Sequence, residues 1–159
     1  NKYFSMKYTE VAGLALSHNE FRDSWIFGDN YNLDPYLGFR PTMLFNNWFR
    51  IEFTEFLGMP SLTNLSDSCF IWPFISDIDF LLTIKTDYGT PLISAGTGVW
   101  GNLIRSGQAG FSFSFAGAFK IGTGYEFSNE IKVRFNTIVI NYRKEVLTRF
   151  MIDIDYPFF

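Results

Sequence analysis

AGFSFSFAGAFKIGTGYEF, residues 109–127, sets Phe111, Phe113, Phe115, Phe119, Ile121, Tyr125 and Phe127 in alternation with Ser112, Ser114, Ala116, Ala118, Lys120, Gly122, Gly124 and Glu126. Successive strand residues point to opposite sides of a sheet, so a period of two predicts an extended strand with one aromatic face and one small or polar face. Ordinary strands run to about 5–6 residues. A far longer one, with rings on one side and small residues on the other, suits a narrow barrel that crosses a membrane with its rings toward lipid.

The same two-faced rule recurs and predicts eight strands. The first runs from about Tyr3 to Leu16, with Glu10 falling in its apolar phase, and the second spans Tyr36 to Phe45, where Pro41 predicts a bulge or kink. The third, Trp48 to Leu57, sets Phe49, Ile51 and Phe53 against Arg50, Glu52 and Thr54. The fourth, Asp77 to Thr86, sets Ile78, Phe80, Leu82 and Ile84 against Asp77, Asp79, Thr83 and Lys85. The fifth, Pro91 to Leu103, is diluted by glycines, and the Phe-rich stretch is the sixth. The seventh opposes Ile131, Val133, Phe135, Thr137 and Val139 to Lys132, Arg134 and Asn136; the last, Val146 to Phe158, opposes Phe150, Ile152, Ile154 and Tyr156 to Asp153 and Asp155. The chain therefore reads as one all-β domain over residues 1–159, a closed antiparallel up-and-down transmembrane barrel.

Connections and composition agree with this reading. Residues 17–34 and 58–76 read as long loops, whereas Asn46-Asn47, Thr86 to Thr90 and Ser128 to Glu130 are short turns. Outer-membrane barrels pair short periplasmic turns with longer external loops. Tyr3, Phe4, Phe45, Trp48, Phe49, Tyr88, Phe127, Tyr156 and Phe158 gather at the periplasmic strand ends, as an interfacial girdle would. Aromatic residues make up 20% of the chain and charged residues 18%, and the net charge of -3 leaves no basic surplus for a nucleic-acid backbone. One cysteine, Cys69, and one histidine, His18, supply no usual metal-ligand set, so no metal or cofactor is expected.

In architecture the chain resembles the small eight-stranded outer-membrane barrels, the class of the outer membrane protein A transmembrane domain and the OmpX, OmpW and PagL types. The resemblance rests on segments such as Phe111-Ser112-Phe113-Ser114-Phe115 and on the aromatic terminus Tyr156-Pro157-Phe158-Phe159. It implies a bacterial outer-membrane location and a cell-envelope role. Lys7, Arg40, Arg50, Glu52, Asp77, Asp79, Lys85, Lys120, Glu126, Lys132, Arg134, Asp153 and Asp155 would then point into the bore, which eight strands leave just wide enough for side chains. Buried charges persist when paired, so these residues predict a charged network that plugs the lumen.

Phe111, Phe113, Phe115, Phe119, Ile121, Val133, Phe135, Phe150, Ile152 and Ile154 would face lipid. Trp25 and Phe27 in the first long loop, and Phe70, Trp72 and Phe74 in the second, are too apolar to lie bare in water; they form either an apolar cap or a surface for a ligand or a protein partner in an envelope complex. This favours a structural or binding role. Three alternatives stay open: a narrow channel for small or apolar solutes, a lipid-modifying enzyme that would depend on His18, and a soluble lipocalin-like barrel with its rings turned inward around an apolar ligand.

Overall fold

The structure, a computed structural model, describes residues 4–18, 26–27, 31–63, 69–106, 110–142 and 145–157. Among these, eight long antiparallel strands form the barrel: β1 Ser5–His18, β2 Tyr31–Leu44, β3 Phe49–Gly58, β4 Cys69–Thr83, β5 Gly89–Ser106, β6 Gly110–Phe127, β7 Lys132–Tyr142 and β8 Glu145–Pro157. Two short segments, Ile26–Phe27 and Ser61–Thr63, pair antiparallel with the ends of β2 and β4. Each long strand pairs with its neighbours in sequence, and β1 also pairs with β8, which closes the ring.

The register fixes the stagger. From Lys7, successive partners are Thr42, Glu52, Asp79, Gly96, Lys120, Ile138 and Arg149, and Arg149 pairs back to Ser17 on β1. One circuit therefore climbs ten residues, from 7 to 17, and such a stagger requires the strands to tilt by about 35–45°. The turns at the opposite ends of the strands are built locally. Asn46 accepts hydrogen bonds at Oδ1 from the backbone N–H groups of Trp48 (2.9 Å) and Phe49 (2.7 Å), so its side chain stands in for a turn carbonyl. Glu130 occupies the left-handed region at φ 67° in the turn from β6 to β7.

Two sequence expectations need correction. Pro41 introduces no bulge: the β2–β3 register is the same on either side of it, and only the rungs at Arg40 and Pro41 are missing, because proline has no N–H to donate. The segment Cys69–Ile75 is not loop but the first part of β4, and Tyr31 to Pro35 likewise belongs to β2. The long connections are therefore shorter than 17–34 and 58–76. Trp25, Tyr3 and Phe158 lie outside the described residues.

Candidate functional site

Alternation along the strands divides the barrel into an exposed apolar exterior and a packed interior. Phe111, Phe113, Phe115 and Phe119 point outward with 66%, 69%, 67% and 53% of their surface exposed, which rules out the inside-out arrangement around an apolar ligand. Ile121, Phe135, Phe150 and Ile152 are also exposed on this face, and Val133 and Ile154 are partly so.

The interior has two layers. Toward the turn end lies a network of charges. The Arg40 guanidinium contacts Asp153 (3.1 Å) and Asp155 and donates from Nε to Thr54 Oγ1 (2.8 Å). Arg134 reaches Glu52 (2.9 Å), Asp79 (3.3 Å) and Asp153 (3.2 Å). Lys120 bridges Asp77 (2.7 Å) and Asp79 (2.6 Å), and Lys132 bridges Glu52 and Asp155, the latter at 2.7 Å. Asn136 donates to Asp153 Oδ2 at 2.7 Å. All nine charged residues are buried. Four cations (Arg40, Lys120, Lys132, Arg134) meet five carboxylates (Glu52, Asp77, Asp79, Asp153, Asp155), interleaved rather than arranged as a ring of one sign. Many selective pores carry rings of one sign; here each charge meets an opposite partner inside the bore.

Small residues on β5 and β6 make room for these heads. A Cβ added at Gly96 would lie 1.9 Å from Asp79 Oδ1, and one at Gly122 would lie 2.2 Å from Asn136 Oδ1. The glycines that dilute the alternation of the fifth strand are therefore the floor on which the network sits.

Beyond the charges, toward the opposite end, the bore is filled by Val11, Ala15, Tyr36, Phe56, Ile75, Trp100, Ile138, Ile140 and Met151. Tyr36 packs edge-on against Trp100 (ring centroids 5.7 Å) and Phe56 (6.1 Å). Arg149 lies over the Trp100 ring with Cζ 4.3 Å from its centroid and pairs with Asp34 at 3.5 Å. Periodicity passed over this layer and the Asp34–Arg149 pair, although Arg149 falls in phase with Asp153 and Asp155.

Four of the expected lumenal charges, Lys7, Arg50, Glu126 and Lys85, sit outside this network. Lys7 (paired with Glu130 at 2.9 Å) and Arg50 (paired with Glu126) occupy the turn-end mouth, where a cavity of about 260 Å³ opens beside Arg50 and Glu126. Lys85 lies just past the end of β4 at Thr83, exposed at the rim of the same cavity. His18 closes β1, and its side chain, like those of Phe27 and Cys69, lies outside the described residues.

A third feature is a raised wall. Among the described residues, 110–116 of β6 pair with β5 alone, since β7 begins to pair only at Gly117, opposite Asn141. On its other side β5 continues to pair with β4 as far as Phe70, opposite Arg105. Phe70, Trp72 and Phe74, expected in a loop, belong to this wall; Phe70 and Trp72 stack edge-on at 6.0 Å. Arg105 lies over the Phe111 ring at 5.5 Å.

A closed ring of eight staggered antiparallel strands, apolar outside and charged within, matches solved structures along nearly its whole length. The Neisserial surface protein A aligns at 11% identity and a TM-score of 0.62, covering 99% of this chain and 98% of that one. Ail, the attachment invasion locus protein of Yersinia pestis, aligns at 10% identity and 0.58, covering 97% and 99%. The fold is that of the small eight-stranded outer-membrane barrels. The N-terminal β-barrel domain of Pseudomonas aeruginosa OprF shares it at 10% identity, 0.54, and coverages of 96% and 98%. No protein-family pattern and no characterised protein matches the chain by sequence. What the chain shares with these structures is therefore the fold.

Proposed function

We propose that this chain is a bacterial outer-membrane barrel with a sealed lumen, whose role is structural or binding, and that it presents the β4–β6 wall to a ligand or partner outside the membrane. The observation that carries this reading is the length of the aromatic strip. Phe111 and Phe127 are sixteen residues apart on β6, which at roughly 3.3 Å per residue and a tilt of about 40° spans about 40 Å along the barrel axis. The apolar band of an outer-membrane barrel is about 25 Å tall. With Phe127 at the periplasmic girdle, Phe111 and Phe113 rise beyond the far interface. Exposed rings raised clear of lipid mark a recognition surface.

The test compares single cysteines in a Cys69→Ser background. Intact cells should label Phe111→Cys with a membrane-impermeant maleimide and leave Ile121→Cys unlabelled, while the purified protein in planar bilayers should stay closed. Equal labelling at both positions would overturn the raised wall, and a steady open conductance would overturn the sealed lumen.

A further inference from the structure

The outward face of the described strands carries two carboxylates, Glu10 on β1 and Glu55 on β3, and both are exposed. They stand at one register level: Glu10 pairs with Phe39 on β2, and Phe39 pairs with Glu55. Around them the face is apolar, with Leu37, Phe39 and Leu57 exposed at 67%, 51% and 56%. Ser76 donates its hydroxyl to Glu55 Oε1 at 2.7 Å, and no described cation pairs with either acid. The two described cations that are exposed, Lys85 and Arg105, lie at opposite ends of the strands.

Depth makes this costly. Glu55 lies six residues along β3 from the girdle residue Phe49, which raises it by roughly 15 Å in a band about 25 Å tall. An ionisable side chain facing hydrocarbon at that depth is unfavourable without a partner, and such residues generally mark a contact. Two strand spacings separate the acids, about 10 Å, with the Phe39 ring between them. An ammonium or guanidinium laid on that ring would stand between the two acids, and Glu55, which here turns to Ser76 on β4, would swing back over Phe39 to meet it.

We infer that the outer face of β1–β3 docks a transmembrane segment of a different protein, one that inserts a lysine or arginine between Glu10 and Glu55 over Phe39. A second copy of this chain does not fit, because its described outward face offers no cation at this level and would set acid against acid. The inference rests on the membrane placement proposed above.

The test uses a photoreactive side chain at Leu37 in the native outer membrane, with Phe119 on β6, four strands away across the ring, as the control. The expected result is a protein adduct at Leu37 whose cross-linked peptide, sequenced by mass spectrometry, carries a lysine or arginine. Its yield should fall at least tenfold in the Glu10→Gln, Glu55→Gln double variant, with heat-modifiable gel mobility reporting that the variant still folds. The Phe119 probe should give lipid adducts alone. Lipid adducts at both positions would overturn the partner while keeping the membrane placement. A homotypic adduct, or one undiminished in the double variant, would overturn the cation pairing, and adducts with soluble proteins at both positions would overturn the placement itself.

Discussion

The two halves of the lumen are built on the same strands yet fill the bore by opposite means. Toward the turns, long charged side chains from β2, β3, β4, β6, β7 and β8 interlock over the small residues Ser94 and Gly96 of β5. Toward the opposite end, Tyr36, Phe56, Trp100 and the aliphatic residues around them fill it mainly by packing, with the single ion pair Asp34–Arg149 against Trp100. The difference teaches that one layer depends on partners and the other on volume. A buried ion loses several interactions at once when a neighbour is removed, whereas an apolar core tolerates an apolar residue of similar size.

Volume-matched substitutions should therefore separate the layers most widely. Arg134→Met preserves bulk but strips Glu52, Asp79 and Asp153 of a shared cation, and urea unfolding in lipid bilayers should show a loss of about 3–5 kcal/mol. Met151→Leu, in the apolar layer, should cost less than about 1.5 kcal/mol. Equal losses at the two positions would break the distinction.

The exterior offers a similar contrast of depth. Ile121→Arg, facing the middle of the apolar band, should cost about 2–4 kcal/mol in the same assay, while Phe113→Arg on the raised wall should cost about 0–1 kcal/mol. A comparable penalty at Phe113 would lower the wall into the membrane. Inside, Gly96→Ala tests the floor of the charged layer: its new methyl group meets Asp79 Oδ1 and the Ile78 carbonyl, and a loss of about 1–3 kcal/mol is expected.

The same two-layer division explains what the sequence disclosed. Where the interior is charged, polarity flips at every residue, so Lys132 to Asn136 and Asp153 to Tyr156 announce both strand and face. Where the interior is apolar, both faces are apolar and the period disappears. In Cys69–Ile75, inward Ile71 and Ile75 alternate with outward Phe70, Trp72 and Phe74, and nothing in hydrophobicity distinguishes them. That stretch consequently read as an apolar loop, and the three aromatics moved from loop candidates to wall residues. Ile138 and Ile140 were hidden in the same way behind Val139. Glu55 escaped notice for a different reason: it is one polar residue in an otherwise regular strand, and only the register, which sets it level with Glu10 across Phe39, gives it meaning.

The smallest expected effect is the sharpest test of independence. Ile140 sits in the apolar layer, six residues or roughly 20 Å along β7 from Arg134, and its aliphatic side chain shares no ion pair or hydrogen bond with it. Ile140→Val removes one methylene and should cost about 0.5–1.5 kcal/mol on its own. Combined with Arg134→Met, the two losses should add to within about 0.5 kcal/mol, as they do for separated sites without common partners. A larger coupling would mean that the layers brace each other through the strands. The charged network would then hold the aromatic packing in place as well as filling its own half of the bore, and a defect in one layer would loosen the other.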